Sequence, residues 1–559
     1  MRITRGVYQA AMIGILGVAV LGSTLAIARR GGDYAFFDPL IDVKHLLSTR
    51  FVDEPDEKAM RLGAINGMVE ALNDPYTVYV PPAAEQEFTK GLTGQYVGIG
   101  AQVQMRDGWL TIVTPLDGSP AFKAGLMADD RVVEIEGKST EDLSIMDSVN
   151  LLMGEPGTPV NITVERDGRR IPITITRQHI VQQTVKGFER AGDQWRFMLD
   201  ASRRIAFVRV TQFTPSTAEE FAQRLRELGA DSGDLGGLVI DLRGNPGGVL
   251  TGAVQMADLF LDQGVIVSTK GRNPDENQVA SAHAQGTLPD FPVAILIDGL
   301  SASASEIFTG ALTENGRAIA VGTRSFGKGS VQSIHPLPSG AGGQLKITEQ
   351  RYYLPSGRSL HRSDDSTQWG VDPTEGFYVP LSDEETIQML RVRREQDIIR
   401  AGEPDQEDGA PPDTTAQWSD PAWIVDTLKD KQLAAALEAV QKRIDSGQWV
   451  PTGQPGIAGD QVVLQQLQRA RRTRSRMLLE LSRLDSRVAR LRAGAGIEQI
   501  TPPDLWPDDA NLLGGRVRVT DKDGHVVATL KITGEDLERW LAGADVEPIE
   551  PGAPADGDG

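Results

Sequence analysis

The chain has 559 residues, of which 40% are hydrophobic and 24% are charged. One hydrophobic core does not ordinarily serve a chain of this length, so we expect two to four folded units. The formal net charge of −20 argues against a nucleic-acid partner, because binding to phosphates requires a basic surface. The absence of cysteine excludes thiol catalysis, cysteine-ligated metals and disulfides. The six histidines form no His-x-x-x-His pair, which argues against a histidine-built metal site and leaves a carboxylate site open.

The N-terminal segment, residues 1–33, has the pattern of an export signal. Arg2 and Arg5 precede an uncharged stretch, Val7–Ala28, and two further arginines follow it. An uncharged run of ~20 residues is near the length that spans a bilayer. The segment is either a signal peptide that is cleaved after the Ala-Ile-Ala sequence at residues 26–28 or an uncleaved signal-anchor. The arginines that follow weigh against cleavage, so we expect an exported protein tethered to a membrane.

Residues 34–94 have the pattern of a helical region. Apolar residues recur at helical spacing, as at Leu62 and Ile65, and the sequence Asn-Asp-Pro at 73–75 is typical of a helix end. We therefore expect helices from Phe36 to Phe88.

A β-rich unit is predicted at residues 95–181. Its short apolar runs, punctuated by glycine, are typical of strands. The expected strands are residues 110–113, 131–135 and 160–164, and the expected helices between them are residues 119–126 and 144–153.

Residues 182–394 alternate strands with helices, which indicates an α/β core. The predicted strands are residues 205–210, 237–241 and 292–297, and the predicted helices are residues 217–228 and 253–261. Residues 395–420 are acidic and contain proline, which is typical of a flexible insert. Residues 421–447 return to a helix that we expect to complete the core.

The C-terminal region, residues 448–546, has no predicted role. A stripe of apolar residues with alternating spacings of four and three predicts an amphipathic helix, and it is too short to indicate a coiled coil: Met477, Leu481, Leu484, Val488 and Leu491. Residues 516–532 predict a β-hairpin. The acidic tail, residues 547–559, is rich in proline and glycine and predicts disorder.

A turn of small residues, Asp-Gly-Leu-Ser-Ala-Ser-Ala-Ser at 298–305, joins a predicted strand to a predicted helix. Such a turn exposes a side chain and directs free backbone N–H groups to one point. It can therefore hold a nucleophile and stabilise an oxyanion together. Serine also serves there as a plain helix cap, and the residues alone do not choose among Ser301, Ser303 and Ser305.

A second segment, residues 322–330, supplies Lys328 and nearly spells a phosphate-binding loop, Gly-x-x-x-x-Gly-Lys. The next residue is Gly329, where that motif needs a hydroxyl for magnesium, and residues 331–337 predict a strand where it needs a helix. We therefore reject nucleotide binding. A lysine can instead be the general base for a serine hydroxyl, if burial lowers its pKa enough to leave it neutral.

Taken together, these segments resemble the carboxyl-terminal processing (tail-specific) serine peptidases over residues 36–372 and near residues 433–444. The sequence Ser-Ala-Ser-Ala-Ser-Glu-Ile at 301–307 is followed by Phe-Gly-Lys-Gly-Ser-Val-Gln at 326–332, with Lys328 25 residues after Ser303. Further segments of the same set are Gly67–Leu72, Tyr96–Ala101, Asp241–Gly248 and Tyr352–Ser359.

The resemblance implies a role for each residue of the expected site. Ser303 would be the nucleophile, Lys328 its general base, and Gln332 the residue that holds the lysine in place. The backbone N–H of Ala304 and one from the Gly247-Gly248 turn would form the oxyanion hole, where glycine allows close approach to the scissile carbonyl.

Three charged residues, Asp241, Arg243 and Glu306, match charged positions that the family uses near the site. They either take part directly or form a structural set of ion pairs that supports the loops.

The β-rich unit resembles a PDZ domain, which the segments at 119–125 and 130–137 support. Gly98, Ile99, Gly100 and Ala101 would be the carboxylate-binding loop, whose successive backbone N–H groups capture a free C-terminus. The peptide would then add as a strand beside residues 100–103.

We therefore expect a multidomain α/β protein. Its parts are an N-terminal helical segment, a β-rich PDZ domain, a crotonase/ClpP-like Ser-Lys peptidase core and an additional C-terminal helical and β-hairpin region. The expected function is that of a serine endopeptidase that recognises the free C-termini of protein or peptide substrates and cleaves through an acyl-enzyme, with no metal or organic cofactor.

The expected location is periplasmic or otherwise extracytoplasmic, with an anchor in the inner membrane. The alternatives are a catalytically inactive PDZ scaffold and an adaptor that hands substrates to another protease. The intact dyad with Gln332 argues against the scaffold. A homo-oligomer and an adaptor partner both remain open.

Overall fold

The computed structural model describes residues 35–116, 118–141, 143–191, 194–337, 342–363, 366–398 and 415–456. In the C-terminal region it describes residues 467, 471, 474, 477, 478, 481, 515–520 and 525–531. The chain divides into two units, residues 1–458 and 459–559. The predictions for residues 1–33 and 547–559, and for Leu484, Val488 and Leu491, lie outside the described residues.

The N-terminal region combines helices with a short strand. Its elements are α1 (residues 35–50), α2 (Glu57–Glu70), β1 (Val78–Val80) and α3 (Glu85–Thr93), with a 3₁₀ turn at Pro82–Ala84. Asp56 caps α2, because its side chain accepts the N–H groups of Lys58 and Ala59 at 2.8 and 3.1 Å. The prediction of helices throughout this region is wrong at β1. There, Val-Tyr-Val favours a strand and pairs with a strand of the peptidase core.

The β-rich unit is built as predicted, with every expected strand and helix present. Its elements are β2 (Gln95–Gly98), β3 (Ala101–Arg106), β4 (Trp109–Pro115), α4 (Pro120–Lys123), β5 (Arg131–Ile135), β6 (Lys138–Ser139), α5 (Ile145–Leu152), β7 (Pro159–Arg166), β8 (Arg169–Thr176) and β9 (Gln178–Val181). The sheet runs in the order β3-β4-β5-β7-β8, with β6 beside β5, and β2 pairs separately with β9. Strand β3 is therefore an edge strand of this sheet.

The expected boundary at residue 181 falls between β9, which pairs with β2, and the first strand of the peptidase core. The core opens with strands and a first helix: β10 (Val185–Lys186), β11 (Glu189–Ala191), β12 (Gln194–Arg196), β13 (Met198–Asp200), β14 (Ile205–Val210), α6 (Thr217–Glu227), β15 (Gly237–Asp241) and α7 (Leu250–Asp258). It continues with β16 (Val265–Gly271), a 3₁₀ turn at Pro274–Glu276, β17 (Gln278–Ser281), β18 (Val293–Ile297), α8 (Ala304–Glu314), β19 (Ile319–Gly322), β20 (Ser330–Pro336), β21 (Gln344–Tyr353) and α9 (Asp383–Asp397).

A parallel sheet in the order β14-β15-β18-β19 forms the centre of the core, with β10 and β13 antiparallel to β14. Its strands are buried on both faces, as expected of a parallel sheet covered by helices. Side chains such as Ile240 and Ile295 pack with α6, α7 and α8. Their neighbours Val239 and Leu296 pack on the opposite face against the helix near residue 437.

A second, antiparallel sheet in the order β1-β21-β16-β17 lies beside it, with β20 paired to β21. Because β20 begins two residues after Lys328, this sheet fixes the segment that carries the lysine. It also fixes β1, whose Val78 lies opposite Lys346 of β21.

The end of the peptidase core departs from the prediction in two ways. The predicted insert is too wide, because residues 395–397 belong to α9 and Thr415–Trp418 form α10, in which Trp418 is buried against Phe188. The predicted single helix over 421–447 is wrong as well. The chain forms α11 (Pro421–Trp423), a π-helical turn at Ile424–Leu428 and α12 (Lys431–Ser446). Lys429 interrupts the run with a backbone φ of +59°.

In the C-terminal unit, residues 467, 471, 474, 477, 478 and 481 are helical, and two of them, Met477 and Leu481, belong to the predicted stripe. The predicted hairpin is confirmed, because β22 (Arg516–Thr520) and β23 (Val526–Lys531) pair antiparallel. Within the described ranges, no helix has the length and apolar character needed to cross a membrane.

Candidate active site

Ser303 lies at the turn between β18 and α8, and its backbone distinguishes it from the neighbouring serines. Its φ of +54° is uncommon for a residue with a side chain. The Ser301 hydroxyl donates to the Leu242 carbonyl at 2.8 Å, and the Ser305 hydroxyl donates to the Asn245 carbonyl at 3.1 Å. The Ser303 hydroxyl donates to no acceptor within the described residues. The geometry therefore separates Ser303 from Ser301 and Ser305, which the sequence alone did not.

Glu306 connects the two predicted catalytic segments. Its Oε2 accepts the backbone N–H groups of Ser303 at 2.7 Å and of Lys328 at 2.9 Å. Its Oε1 accepts the Ser325 hydroxyl and the Gly327 N–H, both at 2.6 Å. Burial raises the pKa of Glu306 above its ordinary value, and these hydrogen bonds oppose the rise. Because all four partners are donors, the site fits an ionised carboxylate.

Lys328 is half-buried. Burial, and then repulsion by Lys346, lower the pKa of Lys328 below its ordinary value, while the carboxylates of Glu306 and Asp74 oppose this shift. Among the described contacts, no hydrogen bond joins the Lys328 ammonium to the Ser303 hydroxyl. Such a bond is often long in an enzyme without substrate and tightens when substrate binds.

Gln332 lies on β20 near the lysine, and its side-chain amide makes hydrogen bonds to other residues. It donates to the Ser330 hydroxyl at 2.8 Å and to the Thr348 hydroxyl at 3.3 Å. The role of holding Lys328 in place therefore stays a prediction.

The residues of the expected oxyanion hole lie close together, and their N–H groups differ in what they bond. A Cβ atom on Gly247 would lie 2.9 Å from the Ala304 nitrogen and 2.8 Å from the Ser303 Cβ, so this turn contacts the nucleophile directly. The Gly247 N–H donates to the Asn245 side chain at 2.9 Å. By contrast, the N–H groups of Gly248 and Ala304 donate to no acceptor in the described part of the chain. An oxyanion hole formed by the N–H groups of Gly248 and Ala304 therefore stays a prediction, and the bonded N–H of Gly247 does not suit that role.

Asp241 and Arg243 form a buried ion-pair cluster at the end of β15. The Arg243 guanidinium makes paired contacts with Asp241 and with Asp430, and Arg393 contacts Asp241 at 2.8 Å. Burial alone would lower the pKa of Arg243, yet the two carboxylates raise it well above its ordinary value. The contacts support the structural alternative for Asp241 and Arg243, because the cluster ties β15, α9 and the start of α12 together.

The predicted carboxylate-binding loop borders a cleft of about 540 Å³. Gly100 has a φ of +76°, and a Cβ there would lie 2.5 Å from the Ser119 Cβ, so the loop requires glycine at this position. Ile99 and, from the α5 side, Val149, Leu152 and Met153 line the cleft. A channel that runs between the apolar face of α5 and the edge strand β3 is the arrangement that strand addition needs.

The peptidase core also lines this cleft, through Lys186, Arg190 and Asp397. The sequence did not predict this, because the contact depends on how the core packs against the β-rich unit.

Several residues of the site were missed in the sequence. Asn245 lies inside a segment already singled out, but nothing in its spacing indicates that its side chain binds the Gly247 N–H. Tyr76 was part of a helix end, yet its ring centroid lies 5.0 Å from Lys328 Nζ. Asp430 and Arg393 are far away in the sequence, and only the fold brings them to Arg243.

In the ranges that the structure covers, no group of three or more His, Cys, Asp or Glu residues could hold a metal ion.

Models of known families match three parts of the chain. Peptidase family S41 matches residues 204–376, and a PDZ domain matches residues 97–176. The N-terminal domain of the activating protease CtpB matches residues 36–83. The predicted multidomain α/β architecture with a PDZ domain is confirmed.

Curated relatives match over most of the first unit. The carboxy-terminal-processing protease of Bartonella bacilliformis is 34% identical over 365 residues, which cover 64% of this chain and 81% of that protein. The carboxy-terminal processing protease CtpB of Bacillus subtilis is 35% identical over 341 residues, which cover 60% of this chain and 67% of that protein. Among solved structures, the photosystem II D1 C-terminal processing protease matches with 25% identity and a TM-score of 0.35, covering 61% of this chain and 86% of that one. The chain belongs to the carboxy-terminal-processing proteases, which are S41 serine peptidases with a PDZ domain.

Proposed function

We propose that this peptidase acts through a Ser303–Lys328 dyad. The observation that carries the proposal is that one oxygen of Glu306 accepts the backbone N–H of both residues. The proposed nucleophile and the proposed base are therefore held together by a single buried group. The lowered pKa of Lys328 supports its role, because only the neutral amine can accept a proton.

In the proposed reaction the Ser303 oxygen adds to the scissile carbonyl carbon while its proton passes to Lys328 Nζ. The carbonyl oxygen becomes an oxyanion that accepts hydrogen bonds from the Gly248 and Ala304 N–H groups. The Lys328 ammonium then gives its proton to the leaving amine as the C–N bond breaks, which leaves an acyl-enzyme on Ser303. Water attacks the ester in the same way, with Lys328 again as base, and releases the acid product.

Cleavage of a denatured test protein, followed on a gel, tests the dyad. We expect Ser303→Ala and Lys328→Ala to abolish cleavage while chelators leave it unchanged. Ser305→Ala is the matched control, because its hydroxyl bonds only the Asn245 carbonyl, and it should retain cleavage. Full activity of Ser303→Ala or Lys328→Ala would refute the dyad. The same assay separates a peptidase from an inactive scaffold or an adaptor.

We propose that the PDZ domain recognises the free C-terminus of the substrate. The glycine-dependent loop at Gly100, the cleft beside it with apolar residues on its α5 side, and the edge position of β3 support this proposal. Paired peptides that differ only in a free or amidated C-terminus provide the test. We expect the amidated form to be cleaved more slowly, and equal rates would refute tail recognition.

We also propose that the protein is exported and tethered by its N-terminal segment, on the basis of the uncharged run Val7–Ala28 between arginines. Fractionation of cells, with mass spectrometry of the N-terminal peptide, tests this. Membrane retention with an intact N-terminus supports an anchor, and a soluble extracytoplasmic chain that starts after Ala28 supports a cleaved signal. A full-length protein in the cytoplasm would refute export.

A further inference from the structure

A loop of the N-terminal region, residues 73–77, lies against Lys328. The Lys328 ammonium lies over the ring of Tyr76, with Nζ 5.0 Å from the ring centroid. This distance is within the range of a cation–π contact. The loop is far from Lys328 in the sequence and reaches it because β1, which follows at once, pairs with β21.

Hydrogen bonds fix this loop to the core. The Asp74 carboxylate accepts the Tyr76 N–H at 3.1 Å and the Thr77 hydroxyl at 2.6 Å. Thr77 is buried, and its oxygen accepts the Thr348 N–H from β21 at 3.1 Å. Thr348 is also the residue that Gln332 contacts. The position of the Tyr76 backbone is therefore set by the same sheet that carries the lysine segment.

The charges around Lys328 come from several elements. Lys346 on β21 repels its ammonium, while Glu306 on α8 and Asp74 on the loop attract it. His361 in turn faces Asp74. Burial has a larger effect on Lys328 than any of these charges. A wall that keeps water from the amine therefore matters more than any single neighbouring charge, and the Tyr76 ring covers one side of that amine.

We propose that Tyr76 is a positioning residue for the general base: its ring closes the lysine pocket to water and keeps Lys328 able to lose its proton. The N-terminal region is then a component of the catalytic site, not an appendage to it. The inference rests on the proposed function of Lys328, but the pocket itself can be tested without any catalysis.

The test compares Tyr76→Ala, Tyr76→Phe and Tyr79→Ala in the full chain. Loss of the cation–π contact alone would lower the pKa of Lys328, because the ring attracts the charged amine. Since burial has the largest effect on this amine, we expect the water admitted in Tyr76→Ala to outweigh that loss, so that the pKa of Lys328 rises and the acidic limb of kcat/KM moves to higher pH. At neutral pH each unit of this shift lowers the neutral fraction, and so the rate, about tenfold. Tyr76→Phe keeps the ring and should keep the midpoint. Tyr79→Ala alters β1 itself, where the Tyr79 hydroxyl bonds the Gly342 carbonyl at 3.1 Å, and should also keep it.

A second measurement is independent of activity. Trace acetylation by acetic anhydride at a series of pH values, with mass spectrometry of the Lys328 peptide, reports the pKa of Lys328 in the Ser303→Ala background. A rise in Tyr76→Ala that is absent from Tyr76→Phe and Tyr79→Ala supports the inference. An unchanged or lowered midpoint in Tyr76→Ala, or an equal shift in Tyr79→Ala, would overturn it. Activity that survives Lys328→Ala would refute the dyad instead.

Discussion

The backbone N–H groups of Ser303 and Lys328 donate to the same oxygen of Glu306, at 2.7 and 2.9 Å. The two segments are separate loops, one after β18 and one after β19, and the buried carboxylate joins them. In the described contacts, no hydrogen bond links their side chains. Glu306 thus fixes the backbone of Ser303 relative to that of Lys328, the two residues of the proposed dyad.

Replacing Glu306 should therefore disrupt the site as a unit. In Glu306→Gln one carboxylate oxygen becomes an NH2 group, so two of the four donors lose their acceptor. An unsatisfied buried donor costs about 1–3 kcal/mol, and displacement of a catalytic group by about 1 Å can cost roughly 100-fold in rate. We expect a loss of roughly 2–5 kcal/mol in the free energy of unfolding and at least a 100-fold loss in kcat/KM, measured by urea unfolding and peptide cleavage.

Glu314→Gln on the same helix is the matched control. Its side chain is only 21% exposed, pairs with Arg358 at 3.6 Å and accepts the Ser356 N–H at 2.9 Å. Because glutamine keeps one carbonyl oxygen for that single donor, the variant should cost only about 1 kcal/mol. Glu306→Gln with wild-type activity would show that the shared oxygen does not set the catalytic distance.

Gly247 offers a second test, because it contacts the nucleophile. In Gly247→Ala the methyl group would lie 2.5 Å from the Ala302 carbonyl oxygen and 2.8 Å from the Ser303 Cβ, so the turn must shift. We expect kcat to fall roughly 100- to 1000-fold, as when an oxyanion donor is lost, with a smaller effect on KM. Steady-state cleavage of a peptide substrate measures both.

The control for this variant is Gly244→Ala in the same loop. Gly244 also has a positive φ, +73°, but its Cβ would meet nothing within 4 Å. Gly244→Ala should therefore cost only the backbone strain of a residue with positive φ, about 1 kcal/mol in the free energy of unfolding. It should leave kcat unchanged. Equal losses of kcat in the two variants would mean that backbone strain, and not contact with Ser303, causes the loss.

The sequence predicted most of the fold, because the pattern of each element is local. Short apolar runs indicated β5 and β14 at their observed bounds, and the turn at residues 298–305 indicated where a nucleophile would lie. Strand β1 was missed because three residues are too few to show a period. The break at Lys429 was missed because nothing before that residue marks a helix end.

The site was predicted where its residues belong to one segment, and missed where the fold brings segments together. The pairing of Arg243 with Asp430 depends on how α12 packs on the central sheet. The contact between Tyr76 and Lys328 depends on the pairing of β1 with β21. Side-chain partners of this kind have no spacing in the sequence, so only tertiary structure identifies them.

Asp430→Asn should show how much the buried ion pairs stabilise the core. Asn can still cap α12 through the Leu433 N–H, which lies 2.9 Å from Asp430 Oδ1, but it leaves the Arg243 charge partly uncompensated. Breaking a buried pair typically costs about 3–5 kcal/mol. We expect the free energy of unfolding of Asp430→Asn, measured in urea at pH 7, to fall by that amount.

The same variant predicts a dependence on pH. Burial would raise the pKa of Asp430, but Arg243 and then Arg393 lower it below its ordinary value. A carboxyl group of this kind stabilises the fold above its unfolded pKa, about 3.9, and loses that contribution as the pH falls through its folded pKa. The difference in the free energy of unfolding between wild type and Asp430→Asn should therefore shrink below about pH 4. Asp445→Asn, at an exposed pair with Arg203, should cost about 1 kcal/mol or less at every pH, and a constant difference for Asp430→Asn would contradict the assignment.

Lys328→Met should abolish cleavage and yet stabilise the fold. Burial lowers the pKa of Lys328, so the folded state at neutral pH bears the cost of a charged amine that the unfolded chain does not. A lysine with a lowered folded pKa binds fewer protons in the folded state, and stability rises with pH between the folded and unfolded values. The gain from Lys328→Met, ~2–4 °C in Tm for about 1 kcal/mol, should thus be present at pH 7 and vanish above the ordinary lysine pKa, about 10.4. Thermal unfolding at pH 7 and pH 10.5 measures this, with the exposed Lys138→Met as the control that should change Tm at neither pH. A Tm of Lys328→Met below that of the wild type at pH 7 would show that contacts of the amine stabilise the fold by more than its burial costs.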